Sequence, residues 1–229
     1  MKVSIIIPCY NEINTVEKII KKILQETDIK KEIIIIDDFS NDGSREKIDK
    51  IKDIYKLKII KNDKNYGKGF SIREGIKESS GDIILIQDAD LEYDPKDYKR
   101  LLDPILKDNA DVVYGSRFIG SEQRRVLYFW HSIGNSLLTT FSNMMSNLNL
   151  SDMENCYKVF KAEIIKNLIL KENRFGFEPE ITAKIAKQNL RIYEVSVNYY
   201  GRKYSEGKKI TWKDGLSALR CIIKYNLVN

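Results

Sequence analysis

Four short isoleucine-rich runs, Val3–Pro8, Glu32–Asp37, Leu57–Asn62 and Asp82–Gln87, most constrain what this chain can fold into, because each is apolar almost continuously. A strand with one wet face alternates polar and apolar residues, whereas a strand covered on both faces does not. Between the runs lie Glu12–Glu26, Ser44–Ile54 and Lys68–Ser79, which read as helices. The first repeats Val16, Ile19, Ile20, Ile23 and Leu24 at helical spacing, and Asp42 or Ser44 caps the second after Gly43. Such alternation predicts βαβ units in an α/β protein, a doubly wound, mostly parallel sheet with helices on both faces. A helix over Asp97–Lys107, preceded by Asp94-Pro95, and a strand over Asp111–Gly115 continue the pattern.

Beyond Arg117 the regularity weakens. Val126–Leu150 reads as one or two helices with few charges, Phe177–Gln188 as a helix, Arg191–Val197 as a strand, Gly201–Lys209 as a basic loop and Trp212–Tyr225 as an amphipathic helix. No linker, repeat or low-complexity stretch divides the 229 residues, so a single domain over 1–229 is expected.

Composition excludes more than it selects. Hydrophobic residues at 42% and charged residues at 31% argue against disorder, and no apolar stretch approaches the roughly 20 residues that cross a bilayer. Met1–Pro8 is too short and strand-like for a signal peptide, so the expected location is the cytoplasm. Cys9, Cys156 and Cys221 are odd in number and contain no C-x-x-C pair, which fits a reducing compartment. A single histidine, His131, excludes any site needing two imidazoles, and no spacing suggests a partner for it. A metal, if used, must be held by carboxylates.

In a doubly wound sheet, ligands gather beyond the carboxyl ends of the strands. Here those ends deliver Pro8-Cys-Tyr10-Asn-Glu12, Asp37-Asp38, Asn62-Asp63 and Gln87-Asp88-Ala-Asp90, so acids and amides accumulate along one rim. Each of them taken singly also suits a helix cap or a turn. In Asp88-Ala-Asp90 the two carboxylates stand at i and i+2 of an extended segment, where they point the same way and can share one cation. Oxygen donors alone favour Mg2+ or Mn2+ over zinc, copper or iron. No G-x-G-x-x-G follows the first strand and Gly67-Lys-Gly69 lacks the Walker spacing, which argues against dinucleotide dehydrogenases and P-loop NTPases. A metal-bearing acidic rim instead meets the demand of a nucleotide-sugar whose diphosphate must depart with its charge.

The blocks Ser4–Glu12, Ile36–Ser44, Asn65–Gly69, Gln87–Glu92 and Gly115–Arg117 occur in an order that resembles the inverting family 2 glycosyltransferases of GT-A fold. Asp152–Lys158, Phe175–Glu180 and Glu206–Lys209 are similar to the branch containing dolichyl-phosphate mannosyltransferases and related polyprenyl-phosphate glycosyltransferases. The resemblance spans nearly the whole chain. It implies that Pro8, Tyr10, Glu12 and Asp38 bind the donor nucleoside, and that Asp88 and Asp90 engage metal and diphosphate. Glu92, where some relatives have glutamine, either completes the metal shell or faces solvent. Arg117, Arg202, Lys208 and Lys209 fall where such enzymes handle phosphate charge.

The acceptor decides the remaining chemistry. A hydroxyl must lose a proton as it attacks, which requires a carboxylate base, and Glu178 or Glu180 are the candidates. A phosphate acceptor is already anionic and needs only cationic positioning, which suits Arg117, Arg202 and Lys208. The expected reaction is inverting transfer from a nucleotide-diphosphate sugar to a dolichyl or undecaprenyl phosphate. The rivals are transfer to a saccharide and a non-catalytic partner that binds nucleotide or membrane. A nucleic-acid partner is not expected. A sugar-nucleotide pyrophosphorylase would want a glycine-rich loop where Pro8–Glu12 stands. For peripheral contact with a membrane, Trp212, Leu216, Leu219 and Ile223 form one helical face, and the basic excess between Arg202 and Lys224 faces only Glu206 and Asp214. Packing of that face on the sheet is the competing reading.

Overall fold

The computed structural model describes residues 1–120, 125–126, 128–203, 206–207, 209 and 212–228. The four isoleucine runs become β1 (Val3–Cys9), β2 (Lys31–Asp37), β3 (Lys58–Lys61) and β4 (Ile83–Ile86). The helices between them are α1 (Val16–Gln25), α2 (Ser44–Ile51) and α3 (Lys68–Glu78). Then follow α4 (Tyr98–Leu106), β5 (Val112–Ser116), α5 (Phe129–Ser146), β6 (Lys158–Lys161), α6 (Ala162–Lys166), α7 (Phe177–Ala186), β7 (Ile192–Ser196) and α8 (Trp212–Leu227).

These strands form one sheet in the order β3-β2-β1-β4-β6-β5-β7. β1 pairs in parallel with β2 and β4, and β5 in parallel with β7, while β6 runs antiparallel to both of its neighbours. Ile5, Ile6, Ile34, Ile35, Ile84 and Leu85 lose all their exposure, as expected of central strands covered on both faces. Burial of these side chains at roughly 1.5–3 kcal/mol each supplies much of the drive to fold. β6 escapes pattern reading because Lys-Val-Phe-Lys is four residues long with charged ends, and its Lys158 is fully buried.

The first helix begins later than its spacing suggests, at Val16 rather than Glu12. Asn11 takes a left-handed φ of 52°, the Glu12 amide donates to Ser44 Oγ at 2.8 Å, and the Glu12 carboxylate accepts from Thr15 Oγ1 at 2.7 Å. The turn after β1 is thus tied to the start of α2, which holds Tyr10 and Glu12 at the carboxyl edge of the sheet. The N-cap of α2 is Gly43, in the left-handed region and with no side-chain cap, rather than Asp42 or Ser44; Asp42, one residue before it, accepts from both the amide and the hydroxyl of Ser44. Because β1, β2 and β4 are parallel, their carboxyl ends open on the same edge, over which α5, α7 and α8 pack against one another.

Candidate active site

One cavity of about 1910 Å³ opens at that edge, and Pro8, Tyr10, Glu12, Asp38, Asp88 and Asp90 all line it. The strands bring these residues together by topology alone, since each lies at the end of β1, β2 or β4. Asp38 is buried, and its carboxylate accepts from Asn62 Nδ2 at 2.7 Å and from the amides of Tyr66 and Gly67 at 2.9 and 2.7 Å. Gly67 meets it with φ of +102°, and a Cβ there would stand 2.6 Å from the Asn173 carbonyl oxygen, so only glycine fits.

Beneath the acidic pair, Gln87 is buried and accepts through Oε1 from Tyr98 and Tyr157 at 2.8 and 2.7 Å, which fixes the segment leaving β4. Asp88 Oδ1 pairs with Lys68 Nζ at 2.9 Å; burial alone would push this carboxyl up, and the lysine charge holds it down. Asp90 accepts from the Glu92 amide at 3.0 Å and pairs through Oδ2 with Arg202 Nη2 at 2.6 Å. Burial, then the charges of Asp88 and Glu92, push Asp90 up to about 8 against the pull of Arg202. Asp88 and Asp90, two residues apart and both at the cavity, thus differ in how readily each carries its charge. A hard divalent cation fits that donor set, which is all oxygen and short of positive charge.

Glu92, expected either to complete the metal shell or to face solvent, lines the cavity and is bound within the protein. Its Oε1 accepts from the amide and Nε of Arg202 at 2.8 and 3.3 Å, and its Oε2 from the Tyr199 hydroxyl at 3.1 Å. It clamps the segment after β7 over the cavity. Among the described residues no three His, Cys, Asp or Glu side chains converge as a metal cage.

The basic residues divide. Arg202 reaches Glu12 at 3.1 Å as well as Asp90 and Glu92, so one guanidinium spans three acids. Lys209 Nζ pairs with Glu12 at 2.8 Å, donates to the Tyr10 carbonyl and lies 5.6 Å from the Tyr10 ring centre. Lys208 lies outside the described residues. Arg117 lines the cavity, yet its Nε and Nη2 both bind Asp152 at 2.6 Å in a forked pair, and Tyr199 covers it at 5.1 Å. The forked pair braces the end of β5 against the loop before β6.

Glu180, one of the two candidate bases, lies away from the cavity. It is fully buried and absent from the cavity wall, and its carboxylate accepts from the amides of Lys171 and Glu172 and pairs with Lys184 at 2.5 Å. It holds the loop before α7. Glu178, two residues earlier, lines the cavity instead, with Oε1 3.3 Å from Lys68 Nζ. Lys68, Asp152 and Glu154 were not singled out by sequence reasoning; all three fall inside blocks or motifs that carry the family resemblance, which was the signal available for them. His131 lines the outer cavity, with its ring 5.2 Å from that of Tyr128.

The mouth of the cavity is apolar. Phe129, Trp130 and Leu137 of α5 and Trp212 and Leu216 of α8 line it, and Trp130 and Trp212 keep 79% and 73% of their surface exposed. Monomeric soluble surfaces rarely expose so many large apolar side chains together. The Trp212 face of α8 does not pack onto the sheet as the competing reading had it; the buried side of the helix, Ala218, Cys221, Ile222 and Tyr225, lies against α7 and α5. Among the described residues no helix is long and apolar enough to cross a membrane.

A mixed seven-stranded sheet with an acidic pair beyond its fourth strand, at the floor of a cavity, defines the GT-A class of glycosyltransferase fold. Superposition agrees: glucosyl-3-phosphoglycerate synthase from Mycobacterium tuberculosis, solved with Mn2+, uridine diphosphate and phosphoglyceric acid, matches all of this chain and 79% of its own with a TM-score of 0.77 at 15% identity. The chain belongs to glycosyl transferase family 2, whose family model matches residues 4–169. It is 27% identical over 211 residues to dolichol-phosphate mannosyltransferase of Pyrococcus furiosus, covering 91% of this chain and 59% of that protein. It is 24% identical over 214 residues to undecaprenyl-phosphate 4-deoxy-4-formamido-L-arabinose transferase of Proteus mirabilis, covering 90% and 62%. The chain thus spans about three fifths of the length of these two relatives.

Proposed function

We propose that this chain transfers a glycosyl group, with inversion, from a nucleotide-diphosphate sugar to a polyprenyl phosphate at the cytoplasmic face of a membrane. The observation that carries the reading is that a single cavity joins an acidic floor, two cationic side chains from the segment after β7 and an exposed apolar mouth. A lipid phosphate needs all three.

On this reading Pro8, Tyr10, Glu12 and Asp38 border the nucleoside, and Asp88 and Asp90 face the diphosphate. Those two aspartates would hold Mg2+ or Mn2+, which when bound offsets the charge on the departing nucleotide. The acceptor phosphate is anionic at neutral pH and needs no protein base, consistent with a Glu180 that is locked in the core. Arg202 and Lys209 orient it, and Arg117 stiffens the wall beside them. Holding both substrates against one edge makes attack on the anomeric carbon effectively unimolecular. A phosphate oxygen forms the new bond as the diphosphate leaves from the opposite face, and inversion follows. Phe129, Trp130, Trp212 and Leu216 meet the lipid end of the acceptor and the membrane surface. The two relatives named for dolichol phosphate and undecaprenyl phosphate support this choice of acceptor.

Incubation with radiolabelled UDP-, GDP- and dTDP-sugars, Mn2+ and polyprenyl phosphates tests the reading. Label in an organic-soluble, mild-acid-labile product is the expected result. Good transfer to saccharides with none to any polyprenyl phosphate would overturn it.

A further inference from the structure

Two carboxylates in the cavity wall take no part in the chemistry above. Glu154 and Glu178 both line the cavity, and Glu154 Oε1 and Glu178 Oε2 are buried without a hydrogen-bond donor. Glu178 is only 3% exposed, at the first turn of α7, and its remaining oxygen faces Lys68, whose ammonium also holds Asp88. A buried acceptor left without a donor is costly, more so when charged, and natural structures keep few of them.

We propose that Glu154 and Glu178 form a carboxyl pair that reads the hydroxyl groups of the transferred sugar. The inference rests on the nucleotide-sugar reading of the cavity and adds to it the residues that select the sugar. Position supports it. The sugar is joined to the diphosphate, so it must lie one step beyond Asp88, and the Lys68 bridge places Glu178 at that step.

Chemistry supports it as well. Sugar hydroxyls both donate and accept, and a pair holding one proton does the same. Burial, then the charge of Glu178, pushes Glu154 up to about 8, which favours its proton-bearing form. Lys68 stands between Glu178 and Asp88 and pairs with both, which disfavours a metal shared by these two carboxylates.

The test compares wild type with Glu178→Gln, Glu154→Leu and Glu154→Gln, the last mimicking the protonated acid. Each is titrated in Mn2+ with UDP-glucose and GDP-mannose, and separately with UDP and GDP, after thermal unfolding has shown it folded. Glu178→Gln and Glu154→Leu should weaken the sugar-nucleotide that wild type prefers by about tenfold, ~1.4 kcal/mol, and leave the free diphosphate within about twofold. Glu154→Gln should bind both as wild type does. Equal loss for sugar-nucleotide and free diphosphate, or no loss for either, would overturn the pair's role while leaving the nucleotide-sugar reading standing. Failure of wild type to bind any of the four nucleotides would remove that reading and the pair together.

Discussion

Arg202 and Asp90 meet at 2.6 Å across 112 residues of chain, and the same guanidinium reaches Glu12 and Glu92. The cationic segment after β7 is thereby seated on the acidic floor of the cavity, so that a phosphate held by Arg202 lies within an ion pair's length of the acidic pair. This contact is where the donor and acceptor halves of the proposed reaction adjoin.

Replacing Asp90 with alanine should lower transfer by roughly 10²–10³-fold, the scale seen when a group stabilising transition-state charge is removed. The fold should survive, because burial, then the charges of Asp88 and Glu92, already disfavour the ionised Asp90 carboxylate, so alanine removes a group that is costly to bury. Turnover and thermal unfolding of the same preparation check both halves. Full activity of wild type in chelator would remove the proposed cation from the mechanism.

Arg202→Ala should impair acceptor use by about tenfold or more and change nucleotide-sugar binding much less, read by separate titrations of each substrate. Lysine at this position should rescue poorly, because a point charge cannot span Glu12, Asp90 and Glu92 as a planar fork does.

Substituting Phe129 and Trp212 by serine should weaken association with vesicles containing anionic lipid. Each side chain exposes most of its surface, at 67% and 73%, and burial of such a group is worth ~1.5–3 kcal/mol. Sedimentation should show roughly a tenfold lower partition coefficient for each change. Unchanged partitioning would detach these helices from the membrane.

Stability should fall in acid through Glu172. Burial alone would raise this carboxyl, but hydrogen bonds from Tyr225, Lys224 and Arg220 bring it from an ordinary 4.5 down to about 2. A depressed carboxyl stabilises the fold above its unfolded value, and that contribution is lost as pH drops from about 4.5 through about 2. After allowance for solvent screening the effect is about 1 kcal/mol. Thermal unfolding of wild type and Glu172→Gln should differ at neutral pH and converge near pH 2.

Local pattern carried the central strands and the acidic rim. Continuous isoleucine runs have one stable use, a strand covered on both faces, and parallel pairing then sends Pro8, Asp38 and Asp88 to a common edge whatever the rest of the chain does. The short, charged-ended β6 left no such trace, since its pairing depends on neighbours remote in sequence.

Phe-Glu-Pro-Glu shows the limit most clearly. Residues two apart on a helix point about 200° from each other, so only one of Glu178 and Glu180 can face the cavity. Nothing in the four letters says which; the packing of α7 against α5 and α8 turned Glu178 inward and locked Glu180 onto the loop at Lys171. Arg117 and Glu92 likewise found partners, Asp152 and Arg202, that no spacing announces. Sequence alone determined the parallel strands β1 to β4, their acidic edge and the family, because these follow from periodicity and from motifs contiguous along the chain. The tertiary structure decided which charges are already met and which oxygens still lack a donor, because ion pairs and desolvation depend on distances across the fold.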